Sequence, residues 1–138
     1  MVGTDGSPGA QAAVEHAATL ARTTGAELHV VQGCGSPVAI ASPHGVGVDV
    51  DPCEVEKACR GALAPDTERL RSSGLTVETH VVSKTGADAV CSVAEDVRAD
   101  LIIVGNRGMT GARRLLGSVP NSIAHQAPCS VLIVATKA

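Results

Sequence analysis

The segment Asp100-Leu101-Ile102-Ile103-Val104 constrains the fold more strongly than any other part of this sequence. Its apolar residues are consecutive, whereas a strand with one face in water alternates apolar and polar residues. Consecutive apolar residues are typical of strands covered on both faces, and such strands belong to parallel sheets with helices on each side. We therefore expect an α/β fold in which a parallel sheet lies between two layers of helices.

The rest of the chain alternates predicted strands with predicted helices, as right-handed crossovers between parallel strands require. Ser7 and Pro8 predict a helix start, Gly25 predicts its end, and Pro65 should kink or break the second helix. Residues 33–53 show no period and predict a long mobile loop. The whole chain, residues 1–138, is predicted to form a single Rossmann-like domain. Strands are expected at residues 1–4, 28–32, 76–83, 100–104 and 130–134, and helices at residues 8–24, 54–73, from Gly86 onward and 120–126.

Composition excludes several functional classes. The net charge of −3 gives no general attraction to nucleic acid or to an anionic membrane, and no apolar run could cross a bilayer. No secretory signal opens the chain, and its five cysteines stand at irregular spacings, so we expect free thiols in the cytoplasm. The chain has no Cys-x-x-Cys pair and its histidines are scattered, so no metal site is predicted. Without Phe, Tyr or Trp, the core must consist of aliphatic residues.

Two segments that follow predicted strands form the candidate site. Ligands of parallel sheets bind beyond the carboxyl ends of the strands, where the strand order reverses. Glycines let the backbone N–H groups surround an anion, and a helix start adds further unpaired N–H groups. Ser118 can donate a hydrogen bond to phosphate, and Asp5 can accept one from a ribose hydroxyl. The segments are Gly3-Thr4-Asp5 and Gly105-Asn106-Arg107-Gly108, the latter continuing to Gly117-Ser118-Val119.

The same residues also have a purely structural interpretation. Glycines after a strand often form only a tight turn, and Ser118 can serve only as a helix cap. Arg107 can face a phosphate group or solvent. The chain contains neither a P-loop motif nor a Gly-x-Gly-x-x-Gly fingerprint. A phosphate site and simple turns therefore both remain open from the residues alone.

Five segments, in order along the chain, resemble the universal stress protein family. The resemblance implies a five-stranded parallel sheet in the order 3-2-1-4-5 and a homodimer formed through the fifth strand, residues 130–134. The family's ATP-binding branch carries Gly, two residues, Gly, nine residues, and then Gly-Ser or Gly-Thr. Only residues 109–116, eight in all, separate Gly108 from Gly117. Our hypothesis is that the natural protein has residues here that this sequence lacks; if the short spacing is real, a distorted phosphate loop and reduced affinity are expected. The matching segments are Val2–Ser7, Leu28–Val31, Ala99–Gly108, Leu116–Pro120 and Pro128–Val134.

The resemblance also implies roles for individual residues. Asp5 would lie near the ribose and adenine, with Gly3 and Thr4 beside the base, and Val30 would contact adenine from the second strand. A magnesium ion, held mainly by phosphate, could bind Asp5 and Ser118. The residues expected around the phosphates are Gly105, Arg107, Gly108, Gly117, Ser118 and the backbone of Val119.

The expected function is nucleotide-dependent signalling in a stress response. ATP or another adenine nucleotide would change residues 33–53 or the dimer surface, and an unidentified protein partner would respond to that state. No catalytic set can be assembled from the sequence, so we expect at most slow ATP hydrolysis. Two alternatives remain open: a nucleotide-dependent hydrolase or transferase that uses His29 or Arg107, and a dimeric scaffold that binds no nucleotide. His29 is predicted as a packed strand residue, and His80 is expected at the surface.

Overall fold

A computed structural model describes residues 1–35, 51–84, 86–106 and 119–136. All the predicted strands and helices are present, with boundaries that differ by a residue or two. The strands are β1 (Val2–Gly3), β2 (Leu28–Gly33), β3 (Val77–Val82), β4 (Leu101–Gly105) and β5 (Ser130–Val134), and the helices are α1 (Pro8–Thr24), α2 (Pro52–Ser72), α3 (Gly86–Asp96) and α4 (Val119–Gln126).

The strands form one parallel sheet in the order β3-β2-β1-β4-β5, which confirms the predicted fold class. β1 lies in the centre, where Val2 pairs with Val30 of β2 and with Ile103 of β4. The chain runs outward from β1 to β3 and then returns to β4 on the other side. The strand order therefore reverses at β1 and β4, and a ligand of this fold is expected at their carboxyl ends.

Each face of the sheet is covered by two helices. Helices α1 and α2 pack Val14, Leu63 and Leu70 against one face, which contributes residues such as Val2 and Val30. Helices α3 and α4 cover the other face with a second cluster of buried residues: Val31, Ala87, Val90, Val93, Ala94, Ile102, Val104 and Ile123. The clusters are aliphatic, as the lack of aromatic residues requires.

Local sequence signals fix the ends of α1, whereas α2 is not broken at Pro65, so of the predicted kink or break the break is wrong. The Ser7 hydroxyl accepts a hydrogen bond from the N–H of Ala10 at 3.2 Å, and Gly25 ends the helix in the left-handed conformation with φ of 71°. Helix α2 continues through Pro65. Because Pro65 is exposed, water can reach the backbone carbonyl that the missing N–H leaves unpaired.

A disulfide joins Cys34, just after β2, to Cys59 on α2. The prediction that all the cysteines are free is therefore wrong for this pair, because α2 packs over the sheet and carries Cys59 to the end of β2. Among the described residues, the free cysteines are Cys53, Cys91 and Cys129. The described helices include none that is long and apolar enough to cross a membrane.

Candidate functional site

The turn after β1 holds Thr4 and Asp5 at the carboxyl end of the strand. The Thr4 N–H donates to the carbonyl of Val31 at 2.9 Å, and the Thr4 hydroxyl accepts from the N–H of Gly6 at 3.1 Å. The Asp5 carboxylate accepts from the N–H of Ser7 at 2.9 Å. Gly6 adopts a φ of 73°, which glycine allows without strain. The turn thus leads directly into the N-cap of α1 and presents the exposed Asp5 at this edge.

Asn106 fixes the end of β4, a role that the sequence analysis did not assign to it. Its N–H donates to the carbonyl of Val134 at 2.9 Å. Its side-chain oxygen accepts from both the N–H and the hydroxyl of Thr136, each at 2.8 Å. These bonds join the carboxyl ends of β4 and β5 and set the point at which the chain enters residues 107–118. The sequence signal that could have indicated this role is an asparagine directly after the glycine that ends the strand.

Two of the predicted site glycines lie where a side chain has no room. A Cβ atom on Gly3 would lie 2.8 Å from Cγ2 of Val90. A Cβ atom on Gly105 would lie 3.0 Å from Cγ2 of Thr136 and 3.1 Å from the carbonyl oxygen of Gly9. Both glycines therefore allow close packing of neighbouring elements. This packing is compatible with the turn interpretation as well as with a ligand site.

The first residues of α3 and α4 lie side by side. A Cβ atom on Gly86, the first residue of α3, would lie 2.9 Å from Cγ2 of Val119, the first residue of α4. Val119 is 45% exposed. Each helix start carries unpaired N–H groups and the positive end of the helix dipole. These N–H groups favour an anion at this edge of the sheet, while the carboxylate of Asp88 in the first turn of α3 opposes it.

The second strand contributes one predicted residue and one that the sequence analysis missed. Val30 is 3% exposed, and its side chain lies in the core that α1 and α2 cover. Gln32, two residues nearer to the carboxyl end, points to the same face of the sheet. Its side-chain oxygen is buried and accepts no hydrogen bond from the described residues. A buried acceptor without a donor is unfavourable, so Gln32 is a candidate ligand contact.

A group outside the predicted site, His29, Glu78 and His80, lies on β2 and β3 and is called the histidine cluster below. Nδ1 of His29 and Nε2 of His80 are 2.9 Å apart. The surface position predicted for His80 is wrong, since its side chain is only 19% exposed. Burial lowers the pKa of His80, although the Glu78 carboxylate acts in the opposite direction. Strand register brings these residues together, and no spacing within the sequence reveals it.

Two free thiols lie in or beside the core: Cys91 is buried and Cys129 is half-buried. Burial raises the pKa of Cys91 on α3 and of Cys129 just before β5. The thiolate is the reactive form of cysteine, so neither residue is suited to act as a nucleophile at neutral pH.

The family is decided by sequence similarity that spans almost the whole chain. The model of the universal stress protein family matches residues 1–135. The chain belongs to the universal stress protein family. It is 35% identical over 133 residues to Universal stress protein A homolog 1 from Coxiella burnetii, a match that covers 94% of this chain and 90% of the relative. It is 34% identical over 149 aligned positions to Universal stress protein Rv1636 from Mycobacterium tuberculosis, covering 99% of this chain and 94% of that protein.

A solved structure of a universal stress protein in complex with cAMP is also similar. Its TM-score to this chain is 0.78 at 33% sequence identity, and the match covers 99% of this chain and 95% of the other. The predicted site residues that the present structure describes are Gly3, Thr4, Asp5, Val30, Gly105 and Val119. The other four, Arg107, Gly108, Gly117 and Ser118, lie outside the described residues, as do the shortened spacing between the glycines and most of the predicted loop at 33–53.

Proposed function

We propose that this universal stress protein binds an adenine nucleotide, with ATP as the leading candidate, at the carboxyl ends of β1 and β4. The observation that carries the proposal is the pairing of these two strands at the point where the strand order reverses. At this point the Thr4-Asp5 turn follows β1, and the Gly105-Asn106 segment lies at the end of the adjacent strand β4. The similar structure in complex with cAMP supports an adenine nucleotide as the ligand class.

The phosphate groups would bind where α3 and α4 begin. The adjacent positions of Gly86 and Val119 place two sets of unpaired N–H groups close together, and such groups favour an anion. Gly105, Val119 and the residues outside the described part of the chain (Arg107, Gly108, Gly117 and Ser118) would complete the phosphate site. A magnesium ion bound mainly by phosphate would take Asp5 and Ser118 as its protein contacts.

The base and ribose would bind between β1 and β2. Asp5 would accept a hydrogen bond from the ribose, while Gly3, Thr4 and Val30 would lie near the base. The buried oxygen of Gln32 has no donor among the described residues, and the exocyclic amino group of adenine could supply one.

We further propose a homodimer formed through β5. Strand β5 is at one edge of the sheet, and its apolar residues Leu132 and Ile133 are 44% and 38% exposed. Leu132 also lines a groove of about 390 Å³ together with Leu20 of α1, which is 38% exposed. An apolar edge strand is prone to pair with another chain, and a second copy would cover it. Replacing Ile133 with lysine should convert a dimer into a monomer in analytical ultracentrifugation.

Nucleotide occupancy would then regulate a protein partner in the stress response, with at most slow ATP hydrolysis. We place this activity in the cytoplasm, where ATP is abundant. The cytoplasmic location was predicted partly from free thiols, and the Cys34–Cys59 disulfide does not support that part of the argument. Cytosolic disulfides, where they occur, are usually redox-sensing.

The nucleotide proposal is tested first by denaturing freshly purified protein and identifying any released small molecule by chromatography with mass detection. Titration with ATP and magnesium, and separately with cAMP, then gives the affinity. Near-stoichiometric nucleotide, lost on substitution of Gly117, is the expected result. No released nucleotide and no binding of either ligand would contradict the proposal and favour the dimeric scaffold.

Asp5 has a matched control on α2. The carboxylate of Asp51 accepts from the N–H of Cys53 at 2.9 Å, the same contact that Asp5 makes with Ser7. Both Asp5→Asn and Asp51→Asn keep an acceptor oxygen and remove one negative charge. Asp5→Asn should weaken nucleotide binding about tenfold, because a hydrogen bond to a charged group contributes about 1.5–3 kcal/mol. Asp51→Asn should leave the affinity unchanged.

A further inference from the structure

The register of β2 and β3 places the histidine cluster on one face of the sheet. His29 is directly opposite Glu78, and His80 follows two residues later on the same strand. Residues two apart in a strand point to the same face. Val31 and Val82, each two residues from a histidine, pack in the cluster beneath α3 and α4. The three side chains therefore lie on the α3 face, at the side of the sheet where β3 is the edge strand.

The three side chains converge on one point. One nitrogen or oxygen atom from each residue lies within 4.8 Å of the other two. Oε2 of Glu78 is 3.6 Å from Nδ1 of His29, and Oε1 is 4.0 Å from Nε2 of His80. Both distances are too long for a hydrogen bond. The carboxylate thus faces the imidazole pair without contacting it, and a cation between the three groups would contact all of them.

Burial and surrounding charge also favour a bound cation. The side chains of His29 and His80 are 16% and 19% exposed, so packing limits their motion, whereas Glu78 is 57% exposed. Oε2 of Glu27 lies 4.0 Å from Nε2 of His29, the ring nitrogen that points away from the cluster. Negative charge therefore lies on both sides of this imidazole. This negative charge favours a cation at the imidazole pair.

We propose that His29, Glu78 and His80 form a binding site for one divalent transition-metal ion of the Zn²⁺ class. Zn²⁺ binds histidine nitrogen at about 2.0–2.1 Å, and tetrahedral geometry separates two such nitrogens by about 3.3 Å. The observed 2.9 Å needs to open by only a few tenths of an ångström. Mg²⁺ and Ca²⁺ prefer oxygen ligands, so two imidazoles select against them. Three protein ligands leave a fourth position open for water or a small ligand.

The test is calorimetric titration of Zn²⁺ into the protein without nucleotide, so that it is independent of the proposed nucleotide function. The reference protein carries Cys53→Ser, because the exposed Cys53 thiol could bind zinc itself. We expect one ion per chain, with no displacement by a large excess of Mg²⁺. In this background Glu78→Gln and His80→Ala should each weaken binding at least tenfold. His125→Ala, which removes an exposed histidine on α4, should not change it.

Two further measurements keep the result interpretable. Circular dichroism would show whether His80→Ala folds, and Glu78→Gln, an isosteric change at an exposed side chain, tests the site with little risk to folding. Co²⁺ added in place of Zn²⁺ should give the visible absorption of a four-coordinate ion in the reference protein but not in Glu78→Gln. Equal zinc affinity in the reference, Glu78→Gln and His80→Ala proteins would overturn the proposal.

Discussion

At the carboxyl ends of β1, β2 and β4, backbone groups and glycines set the geometry, whereas three long side chains set the geometry of the histidine cluster. The first region, called the carboxyl edge, comprises Gly3–Asp5, Gly33, Gly105 and Asn106. Most of its hydrogen bonds involve main-chain atoms, and a Cβ atom added to Gly3, Gly33 or Gly105 would lie 3.0 Å or less from a neighbouring atom. In the cluster, Glu78 lies on β3, opposite His29, and its side chain is 57% exposed.

The two regions should respond differently to substitution. At the carboxyl edge, a side chain added to a glycine displaces the backbone, so nucleotide binding and stability should change together. The histidine cluster can lose a carboxylate without a change in the surrounding fold.

Gly33→Ala should cause the largest loss of stability. The new Cβ would lie 2.5 Å from the carbonyl oxygen of Lys84 and 2.9 Å from Cβ of Ala89, so the backbone must move. We expect the free energy of unfolding to fall by about 3 kcal/mol, measured by urea denaturation. Gly61→Ala on α2 is the matched control: nothing lies within 4 Å of its Cβ, so it should stabilise by about 0.5–1 kcal/mol. An equal response of both variants would show that the carboxyl edge is not tightly packed.

Asn106→Ala should lower the free energy of unfolding by about 2 kcal/mol, because it leaves the N–H and hydroxyl of Thr136 without their acceptor. Asn106→Asp keeps an acceptor oxygen and should lose less stability in the same denaturation experiment. Nucleotide affinity should fall for Asn106→Ala, since the end of β4 is no longer fixed. If Asn106→Ala leaves the free energy of unfolding unchanged, Asn106 does not stabilise the carboxyl edge.

Gln32→Leu should raise the stability of the nucleotide-free protein by about 1 kcal/mol and weaken nucleotide binding about fivefold. It removes a buried acceptor that has no donor among the described residues. The matched control is Gln11→Leu, because the amide of Gln11 donates to Asp66 at 3.2 Å. That variant should lose stability and keep its nucleotide affinity. A loss of stability in both variants would contradict the ligand role of Gln32.

Glu78→Gln should have the smallest effect on nucleotide binding, with a change in affinity of less than about twofold. The Glu78 carboxylate faces His29 and His80 at 3.6 and 4.0 Å, and neither histidine belongs to the carboxyl edge. Mutations at sites without shared partners act independently. Calorimetric titration with ATP measures this directly. A larger change would show that the histidine cluster and the carboxyl edge are energetically coupled.

Much of the fold could be predicted because its signals are local. Ser7, Pro8 and Gly25 mark the ends of α1, and the consecutive apolar residues of β4 indicate a strand covered on both faces. The predicted break at Pro65 failed because proline's effect depends on whether solvent can reach the affected carbonyl. The candidate site was predictable only at the level of segments: Thr4, Asp5 and Gly105 lie at the carboxyl edge. The hydrogen bonds between Asn106 and Thr136, and the buried position of the Gln32 oxygen, depend on distant parts of the chain.

The order and type of the elements, the aliphatic core and the edge of the sheet at which a ligand is expected all follow from the amino-acid sequence. Hydrophobic periodicity and turn chemistry, which act over a few neighbouring residues, are enough to predict them. The contact of Cys34 with Cys59, and that of His29 with Glu78 and His80, are seen only in the folded chain. Such pairs are separated by many residues along the chain, and strand register and helix packing, which bring them together, are long-range properties.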